Sequence, residues 1–197
     1  MSIFWDERYR NEAFAYGKAP NEYFSKRLGK LKPKKLLLPA EGEGRNAVYA
    51  AQAGWQVDAF DFSPVAQQHA IDWAQKNSVS INYFLANFNF LALPENTYHC
   101  IALIFTHMPP DIRPQVHRTL MKSLKPGGVL MAELFSKDQL NYDSGGPKDE
   151  GYLVTPEILQ TDFSGMSVKQ NEQKEVVLNE GPFHQGSASV VRFFAKK

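Results

Sequence analysis

The segment from Leu36 to Asn46 constrains this chain more than any other stretch. An apolar run, Leu36-Leu37-Leu38, breaks at Pro39-Ala40 into Glu41-Gly42-Glu43-Gly44-Arg45-Asn46, and a second apolar run ends on Asp61. A strand that opens through a glycine-rich turn into a helix lets backbone and ligand approach closely, and a carboxylate on the next strand can grip a ribose. Glu41 and Glu43 set this turn apart, because carboxylates repel phosphate at close range. The turn therefore reads as one for a nucleoside ligand without phosphate.

The rest of the chain alternates short apolar runs with helical patterns, which predicts a mostly parallel sheet covered on both faces. Strands are expected at Lys35–Pro39, Gln56–Phe60 running into Asp61, Ile81–Leu85, Cys100–Phe105 and Val129–Phe135. A helix is expected from Gly44 to Ala53, with Gly54 as its stop. Ser63 and Pro64 start another well, since Ser63 can cap and the missing N–H of Pro64 costs nothing there. That helix places Val65/Ala66, His69/Ala70 and Trp73/Ala74 on one face. Ile112, Val116, Leu120 and Leu124 mark the next helix, Lys125-Pro126-Gly127-Gly128 a turn, and Thr155–Asp162 a short helix. Two final strands, Lys174–Leu178 and Ala188–Ala195, are joined by Asn179–Ser187. That loop is too short for a crossover helix, so the pair must be antiparallel. The expectation is a single α/β domain over 1–197, a seven-stranded Rossmann-like sheet with a C-terminal antiparallel hairpin. Residues 1–30 form an aromatic, helical segment within it.

Charge is balanced, with 22 basic and 21 acidic residues in 197, so neither nucleic acid nor an anionic membrane is an expected partner. Cys100 is the only cysteine, which excludes an internal disulfide, and its apolar setting suggests a buried strand. The N-terminus lacks a signal-type apolar core, and no run approaches the ~20 apolar residues of a membrane helix. A cytoplasmic protein is expected, and no metal site.

Gly42-Glu43-Gly44-Arg45-Asn46-Ala47 matches the G-x-G-x-x-A form of the dinucleotide fingerprint, with Asp61 at the right distance. A nicotinamide-dependent reductase is therefore one reading. The two flanking carboxylates, Pro39 before the glycines and the terminal hairpin all count against it.

Further stretches point elsewhere: Trp5-Asp6-Glu7-Arg8-Tyr9 with Phe14-Ala15-Tyr16-Gly17, Asp61-Phe62-Ser63, His107-Met108-Pro109-Pro110, Leu124-Lys125-Pro126-Gly127-Gly128, and Gln139-Leu140-Asn141-Tyr142 with Gly145-Gly146-Pro147-Lys148. With the glycine turn, they resemble the class I S-adenosylmethionine-dependent methyltransferases. Among these the chain is most similar to small bacterial tellurite-resistance and thiopurine methyltransferase-like proteins. The resemblance implies S-adenosylmethionine as cofactor. Gly42 and Gly44 would approach its methionine part, Asp61 its ribose hydroxyls and Phe62 its adenine. Asn87 falls where the family usually has an aspartate reading the adenine amino group, and an amide oxygen can accept the same bond. Phe88, Asn46, Ser63, Thr106, Tyr16 and Gly17 complete the expected cofactor contacts. Two departures stand out: Leu38 occupies a position that is often acidic, and Ala40 replaces the first glycine. Glu41 or Glu43 can compensate by facing the ammonium or sulfonium charge. A non-catalytic adenosyl-binding module is the alternative these departures motivate.

In an open α/β sheet the ligand sits beyond the carboxyl ends of the strands, where the strand order reverses. His107, Tyr142, Lys148 and His184 are expected to converge there, and Gly145-Gly146-Pro147 to shape a mobile flap. Trp5, Tyr9, Phe14 and Tyr16 form either a lid or a plain hydrophobic clasp. A thiolate or other soft chalcogen nucleophile can react without a protein base, whereas an oxygen or amine could use His107 or His184. The chain lacks the Asn/Asp-Pro-Pro-Tyr/Phe signature of amino or base methylation, which favours a small-molecule acceptor.

Overall fold

The computed structural model describes residues 2–11 and 14–197. Residues 1, 12 and 13 of the expected N-terminal segment lie outside the described residues. Seven strands form one sheet: β1 (Lys35–Pro39), β2 (Gln56–Asp61), β3 (Asn82–Leu85), β4 (Tyr98–Ile104), β5 (Leu124–Phe135), β6 (Ser167–Glu180) and β7 (His184–Lys196). Their order is β3-β2-β1-β4-β5-β7-β6. β1 to β5 are parallel, and β7 runs antiparallel to both β5 and β6. The order reverses between β1 and β4, and there the carboxyl ends of both strands open a crevice.

Alternation along each strand decides which side is covered by what. Leu36, Leu38, Cys100, Ala102 and Ile104 pack with α2 (Glu22–Leu28), α3 (Arg45–Gln52) and α4 (Pro64–Lys76). Leu37, Ile101, Leu103 and Leu130 face the other way, against α5 (Arg113–Ser123) and α6 (Pro156–Asp162). Strands buried on both faces read as continuous apolar runs, which is why these were visible in the sequence. The α4 start behaves as its residues dictate: Ser63 Oγ accepts the Ala66 N–H, and Pro64 occupies the first turn. Cys100 is fully buried. Among the described residues no helix is long and apolar enough to cross a membrane.

The largest departures from the expected boundaries are in the β6–β7 pair and at the start of β5. β6 and β7 pair from Ser167↔Lys196 to Glu180↔His184, leaving Gly181-Pro182-Phe183 as the whole turn. β6 is an edge strand, so its polar outer residues belong to the strand without apolar alternation to mark them. β5 begins at Leu124, opposite Tyr98, and pairing resumes at Cys100↔Val129. The Lys125–Gly128 segment bulges out between those two points, with Gly127 at φ +77°.

Candidate active site

The turn after β1 is built on positive φ: Ala40 at +49°, Gly42 at +62° and Gly44 at +84°. Ala40 therefore takes the left-handed backbone that a glycine would adopt without strain. Glu41 folds back over the start of α3, where Oε1 accepts the Ala47 N–H at 2.7 Å and Oε2 the Asn46 side-chain N–H at 3.4 Å. Gly42 lies between two buried tyrosines. Its carbonyl accepts the Tyr83 hydroxyl at 2.6 Å, and a Cβ on it would stand 3.0 Å from the Tyr9 hydroxyl. The Gly42 N–H donates to Asp61 Oδ2 at 3.2 Å, and the Ser63 N–H donates to Oδ1 at 3.0 Å. Asp61 is thus held at the end of β2 by backbone N–H groups on both of its oxygens. Burial raises its pKa, and the N–H bonds from Ser63, Gly42 and Phe62 oppose that.

Glu43 is turned to a different task. Its oxygens accept the Phe14 N–H at 2.6 Å and the Ala15 N–H at 2.7 Å, and His69 Nδ1 lies 2.8 Å away. It clasps the strap of residues 14–21 that follows α1 (Ser2–Asn11). Both acids of the turn are thus hydrogen-bonded, Glu43 to the strap and Glu41 to the start of α3. Asp6 bonds the Ser63 hydroxyl, so α1 is tied to α4 as well.

Beneath this strap lies a cleft of about 1340 Å³. One end is lined by Glu41, Gly42, Asp61, Phe62, Asn87 and Phe88. The other end is walled by Phe105, Met108, Phe135 and Pro147, with His107 and His184 between them and Lys148 at the mouth. Tyr16 and Gly17 of the strap, Glu43 and Asn46 also line it. Phe105, at φ +51°, mirrors Ala40 at the end of the neighbouring strand.

Three expected contacts sit outside the lining, each for a visible reason. Gly44 packs under the turn, where a Cβ would meet Ala70 Cβ at 2.7 Å. Ser63 is occupied as the α4 cap, and Thr106 Oγ1 donates to the Pro39 carbonyl at 3.1 Å, joining β1 to β4. Tyr142 does not join the convergence: it is absent from the cleft wall. Gln139 takes the inward position, bonding Ser144, the Gly145 carbonyl and the Ser189 N–H. That segment is packed, with Gly145 against His184 and Gly146 against Phe135. Asn87 Oδ1 accepts the Asn89 N–H at 3.0 Å and keeps a second lone pair.

The two histidines differ. His107 Nδ1 donates to the Tyr152 carbonyl at 3.0 Å, and its Nε2 accepts the Phe135 N–H at 3.3 Å. Both nitrogens are used, and burial brings its pKa down to about 4. His184 Nδ1 lies 3.3 Å from Glu180 Oε2, and its Nε2 carries no hydrogen bond among the described residues. Burial lowers its pKa too, against the pull of Glu180. Sequence reading missed Tyr9 and Tyr83 as walls of Gly42, and it missed Arg8, which donates to the Tyr16 hydroxyl at 2.9 Å. No spacing signal links residues so far apart.

Burial pushes the Glu41 carboxyl up to about 7 from 4.5, more than its hydrogen bonds from Ala47 and Asn46 pull it down. Between those values the folded chain holds a proton that the unfolded chain has released. Stability from this group is therefore lost as pH rises across that window, and the loss is complete above it. The full effect is on the order of 3 kcal/mol. Glu41→Gln keeps the acceptor for Ala47 without the charge. It should melt above wild type at pH 8 and converge with it near pH 4.5, as read by thermal unfolding across pH.

The donor set fits S-adenosylmethionine: a buried carboxylate for a ribose diol, a glycine backbone open to close approach, and an acid with raised proton affinity near a cationic group. Residues 39–128 match the family model of a methyltransferase domain. TehB from Haemophilus influenzae has the same fold, with a TM-score of 0.76 at 16% identity over 100% of this chain and 66% of that one. A protein studied for the conversion of a disulfide bond into a thioacetal group during echinomycin biosynthesis gives 0.77 at 17% identity, over 100% and 92%. A SAM-dependent methyltransferase from Aquifex aeolicus gives 0.67 at 19%, over 97% of each chain. No curated protein sequence matches the chain. The domain match sets aside the nicotinamide reading of the glycine turn.

Proposed function

We propose that this chain is a class I S-adenosylmethionine-dependent methyltransferase and passes its methyl group to a small-molecule acceptor bound at the aromatic end of the cleft. One observation carries the reading: a single cleft of about 1340 Å³ holds the Asp61 end and the His184 end together under one strap. Pockets for one small ligand usually measure about 300–1,000 Å³. The space suits a cofactor and a compact acceptor side by side. A walled site on a chain of net charge +1 does not suit a nucleic acid.

When bound, the cofactor supplies an electrophilic methyl on a sulfonium. Asp61, the Gly42 backbone and Glu41 would hold it, and Phe62 and Phe88 would flank its base. The chain's own part is alignment and exclusion of water. Phe105, Met108 and Phe135 offer apolar, polarisable walls, which favour a thiol or another soft chalcogen nucleophile. His184, which lines the cleft and whose Nε2 has no hydrogen bond among the described residues, is the group placed to take a proton from such an acceptor. His107 holds the Phe135 and Tyr152 backbones.

The first test compares thermal shifts with S-adenosylhomocysteine, NAD and NADP, because a ligand that binds only the folded state raises the melting temperature. S-adenosylhomocysteine alone should stabilise; stabilisation by NAD alone overturns the assignment. Methyl transfer from labelled cofactor is then followed over thiols, chalcogen oxyanions, amines and phenols. Turnover confined to thiols and chalcogen compounds is expected. Binding without transfer to any of them would make the chain an adenosyl-binding module.

A further inference from the structure

Glu180 and His184 bracket the β6–β7 turn, and the turn is pressed against the strap. A Cβ on Gly181 would lie 2.3 Å from the Gly17 nitrogen and 2.7 Å from the Ala15 carbonyl oxygen, so backbone meets backbone there. Glu180 is held from three sides. Arg45 Nη2 donates to Oε2 at 2.8 Å, the Asn21 side-chain N–H donates to Oε1 at 3.0 Å, and His184 Nδ1 lies 3.3 Å from Oε2. Arg45 is itself anchored on the Tyr16 carbonyl at 3.0 Å. The imidazole ring sits between Tyr16, Phe105 and Phe135, with ring centroids at 4.4, 4.6 and 5.3 Å.

We propose that Glu180, steadied by Arg45 and Asn21, is a positioning residue that fixes His184 as the Nδ1–H tautomer and so presents the Nε2 lone pair to the acceptor. The proposal rests on the small-acceptor reading above. A carboxylate only accepts, so the shared proton belongs on Nδ1 and the free lone pair on Nε2. Burial pushes the Glu180 carboxyl up, yet the His184 bond and the Arg45 charge outweigh it and hold it at about 2. The other charged and titratable groups around His184 are Arg45 on α3, Arg8 on α1, Tyr16 in the strap and His107 after β4. Both arginines disfavour the imidazolium, which leaves Glu180 as the group that sustains its basicity. In the transfer, the acceptor's X–H proton goes to Nε2 and its electron pair forms the X–CH3 bond. The pair of the broken S–CH3 bond stays on sulfur as a neutral thioether, and His184 returns its proton to water.

The test is imidazole 15N NMR on the full ligand-free chain, with the His184 signal assigned by its loss in His184→Gln. At pH 7.5 wild type should show Nδ1 protonated and Nε2 bare. Glu180→Gln should lower the proton affinity of His184 at least about tenfold and mix the tautomers. In turnover with an ionisable thiol it should lower kcat, leave KM near wild type and move the acidic limb of the kcat profile to lower pH. Wild-type His184 protonated on Nε2 overturns the proposal even if Glu180→Gln does not fold, and so does an unchanged titration in the variant. Failure to bind S-adenosylhomocysteine would instead refute the functional reading and leave the tautomer result standing.

Discussion

Gly44→Ala is expected to lower the melting temperature by about 10 °C, the largest stability effect of any single methyl added to this turn. The residue sits at φ +84° as the N-cap of α3, where an L side chain costs roughly 1–2 kcal/mol in backbone strain. The new Cβ would also lie 2.7 Å from Ala70 Cβ and 3.0 Å from its Cα. α3 and α4 must then move apart, and overpacking of this kind costs about 1–3 kcal/mol. Gly186→Ala separates the two contributions. Its φ is +99°, but nothing lies within 4 Å of the added atom, so it should show strain alone. Equal melting temperatures for the two variants would show that α3 and α4 have room to spare.

Asp61→Ala should weaken S-adenosylhomocysteine binding about 100-fold, because two hydrogen bonds to a charged acceptor contribute roughly 1.5–3 kcal/mol each and part is recovered by water. Titration calorimetry on protein shown to be folded by circular dichroism measures this. Folding must be checked because Asp61 also accepts the Gly42 and Ser63 N–H groups, so alanine loosens the turn itself. Asp61→Asn keeps an acceptor oxygen and should fall between wild type and alanine. An unchanged dissociation constant in Asp61→Ala would remove this carboxylate from the pocket.

The strands and the glycine turn were legible because their signals are local. Leu36–Pro39, the Ser63-Pro64 start and the Thr155 cap each act on neighbours a few residues away. β6 was read too short because its polar residues gain strand geometry only from pairing with β7. The two acids of the turn show the same divide at the site. Their presence argued for a cationic ligand and against pyrophosphate, but their order in the chain could not apportion them. Glu43 is spent on the Phe14 and Ala15 backbone 29 and 28 residues earlier, a partner no periodicity reveals.

By itself, then, the sequence determined a mostly parallel α/β domain, a glycine turn after β1, and a carboxylate at the end of β2. These follow from burial, alternation and steric freedom, which act residue by residue. Only the tertiary structure decided that Glu43 goes to the strap and Glu41 to α3, that His107 has both nitrogens engaged, and that Glu180 lies against His184. Hydrogen bonds between distant segments settle such questions, because a buried polar group must take whichever partner the fold brings to it.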